Sequence, residues 1–128
     1  MKILQVIPSI SPKDGGTTQF VISLSEELSR RGIQVDIACT QADGASDFDM
    51  PTGRFISQSH FRVIYFKRQH PRNWKFSAPL TIWLYRNARH YDLIHSHASF
   101  SYTPLAVRLA GKKNNVPYIY SPSGTVSY

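Results

Sequence analysis

The feature that most constrains the fold is an alternation of short apolar runs with helical patterns, joined by turns. Residues 3–7 form a nearly continuous apolar run that stops at Pro8, which is typical of a strand buried on both faces. A glycine-containing turn and a helical pattern follow, and Val35, Ile37 and Cys39 then stand at alternate positions. The first forty residues therefore predict a βαβ unit with a right-handed crossover.

The helix of this unit has recognisable ends. Thr17 is predicted as its N-cap, and Gly32 stands where a C′ glycine belongs. Arg30 and Arg31 precede that glycine, and their positive charges suit the negative end of the helix dipole.

The same alternation continues to the end of the chain. Strand patterns cover residues 61–66, 91–97 and 117–121, and helical patterns cover residues 77–89 and 102–113. Residues 41–60 are polar and predict a long loop. Strands that alternate with helices predict an α/β fold: an open, mostly parallel, Rossmann-like sheet with helices on both faces.

Length and composition exclude several classes of protein. A chain of 128 residues suits one domain, and 41% hydrophobic residues exclude a disordered chain. No apolar stretch approaches the ~18 residues that a membrane span needs. Cys39 is the single cysteine and cannot form an internal disulfide, so we expect a cytoplasmic protein.

Candidate sites follow the strands, because doubly wound sheets bind ligands beyond the carboxyl ends of their strands. Gly15, Gly16 and Thr17 join the first strand to the first helix. Glycines let a ligand approach the backbone, and a helix N-terminus offers free N–H groups to an anion. The alternative interpretation is a tight turn without a ligand.

His95 and His97 lie two residues apart on the fourth predicted strand, so both rings point to one face. A metal site is one interpretation, but no further ligand stands nearby to complete the ~4 that zinc needs. The other interpretation places His95 inside the sheet and His97 at the strand end. Beyond the fifth strand, Ser123 and Gly124 offer donors to a polar ligand or form an ordinary turn.

The positive charge is concentrated in one segment. The net charge is +7, yet residues 54–90 contain eight Lys or Arg and no acidic residue. Three interpretations remain open: a solvated face, a nucleic-acid surface, or a surface for anionic lipid or an anionic substrate. The third draws on the basic residues that flank an apolar, Trp-containing stretch, namely Arg72, Lys75, Arg86 and Arg89.

Three segments together resemble a known family. Residues 2–35 contain the apolar strand, Gly15-Gly16 and a helix that ends in Arg-Arg-Gly; residues 91–97 have an Asp-apolar-apolar-His-x-His pattern; residues 116–125 contain Pro-Ser-Gly. In this order and spacing they resemble the N-terminal half of retaining, GT-B-fold glycosyltransferases of the family 4 (group 1) type. The resemblance covers nearly the whole chain.

The resemblance implies an enzyme that transfers a sugar from a nucleotide sugar to a cell-surface glycan or lipid-linked acceptor, with retention and without a cofactor or bound metal. His97 would be the catalytic residue, close to the transferred sugar. The glycine loop would approach the donor diphosphate or the acceptor, and Ser123 and Gly124 would line the cleft. We expect the protein in the cytoplasm, at the inner face of the membrane, with anionic lipid rather than nucleic acid as a partner.

The resemblance also implies a domain organisation. Residues 1–128 would be an incomplete N-terminal, acceptor-side domain, without the C-terminal domain that binds the donor. The family's Glu-x7-Glu segment is absent, since Glu26 and Glu27 are the only glutamates. We therefore expect this chain alone to be inactive. The alternative hypothesis is a non-catalytic α/β binding module for anionic lipid or polymer.

Overall fold

The fold is described from a computed structural model of the chain. The structure describes residues 1–7, 10, 16–40, 42–43, 46–47, 51–58, 60–67, 77–97 and 103–121. The strands are β1 (Lys2–Val6), β2 (Gln34–Thr40), β3 (Ala42–Asp43), β4 (Ser46–Asp47), β5 (Phe55–Ser57), β6 (Arg62–Phe66), β7 (Leu93–His97) and β8 (Tyr118–Ser121). The helices are α1 (Gly16–Arg30), α2 (Ala78–Asn87) and α3 (Thr103–Asn114), with a 3₁₀ turn at Ala88–His90.

Six strands form one sheet in the order β5-β6-β2-β1-β7-β8. Five neighbouring strands run parallel, namely β6, β2, β1, β7 and β8. β5 pairs antiparallel with β6. The predicted open, mostly parallel sheet is therefore confirmed. β3 and β4 form a separate antiparallel pair.

Helices cover both faces of the sheet, as predicted. α1 lies on one face, where Val21 packs with Ile37 and Cys39 in one cluster of buried side chains. α2 and α3 lie on the other face, where Leu84 and Val107 belong to a second cluster. Successive residues of a strand point to opposite faces, so β2 and β6 contribute to both clusters.

The ends of α1 show what its sequence specifies. Gly32 has φ +86°, and the N–H groups of Gly32 and Ile33 donate to the carbonyls of Ser29 and Leu28 over 3.1 Å each. These are the two bonds of a Schellman motif, so the predicted C′ glycine is confirmed. The N-cap prediction is wrong, because the helix begins at Gly16 and Thr17 lies within its first turn.

The later helices begin and end close to their predicted positions. The Ser77 hydroxyl caps α2 by accepting a hydrogen bond from the Leu80 N–H at 3.2 Å, and Pro79 lies in the first turn. Asn115 has φ 56° directly after α3, which ends that helix where the sequence predicted.

The predicted loop over residues 41–60 is partly wrong. Gly53, with φ +78°, precedes β5, and its N–H donates to the Tyr65 carbonyl over 2.8 Å. β5 then pairs with β6. Strands of two or three residues are too short to show an alternating pattern, so composition alone indicated a loop.

The strand order fixes where a ligand site belongs. β1 lies between β2 and β7, and the chain moves from β1 to β2 in one direction and reaches β7 in the other. The strand order therefore reverses between β1 and β7. In open α/β sheets, ligands bind at such a switch point, beyond the carboxyl ends of the strands.

Candidate functional site

Gln5 and His97 meet at this switch point. β1 and β7 are parallel neighbours whose register aligns Gln5 with His95 and Val6 with Ser96. His97 is the last residue of β7 and therefore lies at the carboxyl edge of the sheet. Its imidazole Nε2 is 2.5 Å from the Gln5 side-chain oxygen.

Both partners of this hydrogen bond are fully buried, with 0% of each residue exposed. An amide oxygen accepts hydrogen bonds and cannot donate. The His97 Nε2 therefore carries the ring proton and donates it to Gln5. The other ring nitrogen, Nδ1, keeps its lone pair and is an acceptor.

Two polar atoms of this pair have no hydrogen-bond partner in the part of the chain that the structure describes. They are the His97 Nδ1 and the Gln5 amide nitrogen. A buried polar atom that bonds to nothing costs free energy, so such atoms call for an explanation. At a switch point, a ligand is one source of such missing partners.

The protein keeps His97 neutral. Burial, with a smaller contribution from the neighbouring His95, lowers the pKa of His97 from 6.5 to about 3. Burial also lowers the pKa of His95. At neutral pH, His97 therefore acts as an uncharged hydrogen-bonding group rather than as a cation.

The two histidines lie where the second interpretation places them along β7, with His95 within the strand and His97 at its end. Their ring centroids lie 3.9 Å apart, so they do share one face. His97, although at the strand end, is fully buried, and His95 is half-buried. The Phe20 ring of α1 packs edge-on against His97 at 6.0 Å.

The structure gives no support to a metal site here. No group of three or more His, Cys, Asp or Glu side chains suited to a metal ion occurs among the described residues. The two histidines are instead engaged with each other, Phe20 and Gln5.

The other predicted site residues fall into two groups. Gly16 and Thr17 lie in the first turn of α1, and α1 is the helix that carries Phe20. Arg86 and Arg89 are exposed on α2 and the 3₁₀ turn, away from His97. The remainder lie outside the described residues: Gly15, Arg72, Lys75, Ser123 and Gly124.

Gln5 is the site residue that sequence analysis missed. The pattern of residues 3–7 predicts one apolar run, although Gln5 is the polar residue at its centre. A glutamine in a strand that is buried on both faces needs a hydrogen-bond partner. That requirement is the signal that could have identified it.

A second buried polar cluster lies at the amino ends of the parallel strands, away from the carboxyl ends where Gln5 and His97 meet. Arg62 donates two hydrogen bonds to the buried Asp36 carboxylate, over 2.9 and 2.7 Å, and the Tyr91 hydroxyl donates a third over 2.6 Å. The bonds to Asp36 raise the pKa of Arg62, while burial and then Asp36 raise the pKa of Tyr91. With these three bonds the carboxylate is satisfied within the fold, so we assign this cluster to stability.

Two further residues have structural roles. The Asp92 carboxylate accepts a 2.8 Å hydrogen bond from the Lys2 N–H, remote from the carboxyl edge. Cys39 is fully buried. That burial raises the pKa of its thiol, which is unsuited to a nucleophile.

Within the described residues, no helix is long and apolar enough to cross a membrane.

Comparison with known proteins places this chain in a family. The sequence profile of glycosyltransferase family 4 matches residues 14–127. A search of the curated proteins finds no match. Among solved structures, the chain is similar to Anabaena Alr3699/HepE, crystallised in complex with UDP and glucose, with 24% identity and a TM-score of 0.58.

That similarity covers 94% of this chain and 29% of HepE. At this level of identity it shows a shared fold, and the fold expected from the resemblance is thereby confirmed. The profile covers most of the chain, including His95 and His97 of β7. The chain belongs to glycosyltransferase family 4.

Proposed function

We propose that this chain forms the acceptor-side part of a retaining glycosyltransferase. It would help to transfer a sugar from a nucleotide sugar to a cell-surface glycan or a lipid-linked acceptor. The observation that carries the proposal is His97, a buried, neutral histidine at the switch point of a family 4 fold, whose Nδ1 has no hydrogen-bond partner among the described residues. The complex of HepE with UDP and glucose supports a nucleotide sugar as donor.

In the proposed reaction, the bond between the anomeric carbon and the donor phosphate breaks. A bond from that carbon to an acceptor hydroxyl oxygen forms, and the hydroxyl proton leaves with the phosphate. His97 contributes a neutral acceptor at Nδ1, which suits a hydroxyl group of the transferred sugar. A protonated histidine would instead present two donors.

The first turn of α1 is proposed to face the charged part of the donor. A helix N-terminus presents free N–H groups and a partial positive charge, which stabilise an anion without a metal ion. Gly15, Gly16 and Thr17 would approach the diphosphate or the acceptor, and Ser123 and Gly124 would line the same cleft. No cofactor is proposed besides the nucleotide sugar.

In the enzymes that the sequence resembles, the acceptor and the nucleotide are bound by different domains. The chain spans 29% of the length of HepE, and nucleotide binding would belong to a second domain. We therefore propose that the 128-residue chain alone does not transfer sugar.

A transfer assay tests these proposals. The longest polypeptide that the gene encodes is incubated with a panel of sugar-labelled nucleotide sugars and an extract of membrane lipids and glycans. Transfer from one donor is expected, with at least a tenfold loss in His97→Ala and no loss in His60→Ala, an exposed histidine before β6. Equal transfer by wild type and His97→Ala would contradict the role of His97. Transfer by the 128-residue chain alone would contradict the proposal that this chain does not transfer sugar by itself.

A second proposal concerns anionic membrane lipid and arises from one surface. α2 and α3 pack side by side on one face of the sheet, where the Asn114 side chain donates to the Tyr85 carbonyl over 3.2 Å. Eight exposed residues of α2, the 3₁₀ turn and α3 define what we call the outer helical face: Ile82, Arg86, Arg89, Leu105, Arg108, Leu109, Lys112 and Lys113.

The outer helical face combines five cations with three exposed aliphatic side chains and contains no acidic residue. Aliphatic groups between cations suit the headgroup region of an anionic bilayer, where apolar burial and charge attraction act together. Surfaces that bind single-stranded nucleic acid instead use aromatic side chains on which the bases stack. We propose that this face holds the enzyme at the cytoplasmic surface of the membrane.

Vesicle co-sedimentation tests the membrane proposal with the chain as it is. Binding to vesicles of phosphatidylcholine with phosphatidylglycerol is expected, and weak binding to phosphatidylcholine alone. The triple variant Arg86→Glu, Arg89→Glu, Arg108→Glu should lose most of this binding. Arg54→Glu with Lys67→Glu changes charges near β5 and β6 and should retain it. Equal binding by the triple variant, or tighter binding of duplex DNA than of vesicles, would overturn the proposal.

A further inference from the structure

Gln5 is an amide placed where the fold otherwise buries apolar side chains. Its neighbours on β1, Leu4 and Val6, belong to the core beneath α2 and α3. Gln5 points to the other face, towards α1, and is 0% exposed. Burial of an unpaired amide at such a position costs free energy. Among the described residues, the hydrogen bond to His97 is the interaction that offsets this cost for Gln5.

We propose that Gln5 is a positioning residue that fixes the ring orientation and the tautomer of His97. The amide oxygen can only accept, so it holds the ring proton on Nε2. The lone pair then lies on Nδ1, which is free of other partners in the described part of the chain. The inference rests on the proposed function only for what Nδ1 binds, since the tautomer is a property of the chain itself.

The surroundings of His97 leave this task to Gln5. Phe20 packs against the ring edge-on and His95 lies beside it at 3.9 Å between centroids. These contacts restrict the ring plane but do not choose which nitrogen carries the proton. The hydrogen bond from Nε2 to Gln5 makes that choice, as second partners do for ligating and catalytic histidines.

The fixed tautomer has a consequence for specificity. A lone pair on Nδ1 accepts a hydrogen bond from a hydroxyl group and offers none to a bare ether or carbonyl oxygen. The site would therefore select a sugar with a hydroxyl at the contacted carbon and discriminate against the corresponding deoxy sugar. A site built to bond a hydroxyl rejects analogues that lack it, because the buried partner is left unpaired.

The tautomer is measured directly by ¹⁵N NMR of the chain with labelled histidine side chains in mildly alkaline buffer. The protonated and bare nitrogens of a neutral imidazole have widely separated shifts, and both couple to the ring protons. In wild type we expect Nε2 protonated and Nδ1 bare. Gln5→Met keeps the length of the side chain but removes the acceptor, so the preference for Nε2–H should be lost.

A conservative variant keeps the test informative where Gln5→Met does not fold. Gln5→Glu retains an acceptor oxygen and should retain Nε2–H, and its carboxylate should raise the pKa of His97. Dispersed backbone amide spectra establish folding for each variant. The proposal is overturned by Nδ1–H in wild type, by an unchanged tautomer in folded Gln5→Met, or by loss of Nε2–H in folded Gln5→Glu.

The two proposals fail separately. If Nε2–H is found but no nucleotide sugar shifts the His97 resonances in a transferring polypeptide, the sugar-binding role of His97 fails and the positioning role of Gln5 stands. If the tautomer is Nδ1–H, the positioning role fails whatever the enzyme transfers.

Discussion

Asp36 is a buried carboxylate whose partners restrict substitution around it. It is fully buried, and among the described residues its side-chain hydrogen bonds come from Arg62 and Tyr91. The Arg62 guanidinium also lies over the Phe55 ring, 3.9 Å from its centroid. A buried carboxylate of this kind is tolerated only while its partners remain.

Replacing Arg62 with Met should therefore destabilise the chain strongly. The apolar part of the side chain is kept, but Asp36 loses its counter-ion. We expect a loss of about 3 kcal/mol in the free energy of unfolding, the lower end for an unpaired buried charge, because the Arg62 side chain is 38% exposed and water reaches its outer side. Urea denaturation measures it.

The control for this prediction is Arg54→Met, which removes an exposed arginine beside β5 and should change the free energy of unfolding by less than about 0.5 kcal/mol. Equal stability of Arg62→Met and wild type would show that the Asp36 cluster is not the stabilising unit described above.

The lowered pKa of His97 makes the free energy of unfolding depend on pH. Its pKa is about 3 in the folded chain, below the ordinary value of 6.5. Between these values the unfolded chain binds a proton that the folded chain excludes, so the free energy of unfolding falls as the pH is lowered. One such proton corresponds to about 1.4 kcal/mol per pH unit.

Urea denaturation across this pH range measures the slope. His97→Gln, which is neutral throughout, should have a shallower slope by up to that amount. His95 contributes in the same direction because its pKa is also lowered, so part of the slope should remain. An identical slope in wild type and His97→Gln would mean that His97 is not buried in its neutral form.

At the scale of single elements, the C-terminal end of α1 depends on one glycine. Gly32 has φ +86°, a backbone conformation that costs a residue with a Cβ roughly 1–2 kcal/mol. Gly32→Ala should therefore lower the free energy of unfolding by about 1 kcal/mol or more. Thermal or urea denaturation against Ser23→Ala, an exposed position on the same helix, measures it; a neutral Gly32→Ala would contradict the Schellman end.

The helices and strands differ in how well the sequence pattern predicts them. Long periodic segments were predicted correctly, and Gly32 and Ser77 carry the local chemistry that fixes their ends. β5 was missed because three residues contain too little pattern, and only its pairing with β6 makes it a strand. Its existence depends on long-range contacts that local sequence does not encode.

At the scale of the whole molecule, the site is a product of topology. Gln5 and His97 are 92 residues apart along the chain and meet only because β1 and β7 are neighbours. The sequence indicated His97 through a family resemblance and a strand end. For Gln5 it could indicate only that a buried amide needs a partner, because the identity of that partner depends on which strand lies beside β1.

Topology also separates the two buried polar clusters. The Asp36 cluster lies at the amino edge of the parallel strands and is internally satisfied. The Gln5–His97 pair lies at the carboxyl edge and has unpartnered atoms among the described residues. This contrast supports the assignment of one cluster to stability and the other to binding.

We propose that His97 receives the sugar of a nucleotide-sugar donor through Nδ1. The most direct test is a ¹⁵N titration of His97 in the longest polypeptide that the gene encodes, first with each nucleoside diphosphate and then with the matching nucleotide sugars. We expect one nucleotide sugar to shift the Nδ1 resonance in a saturable way, and its diphosphate alone to leave that resonance unchanged. An Nδ1 resonance that stays fixed while a nucleotide sugar binds and shifts other residues would contradict this role of His97.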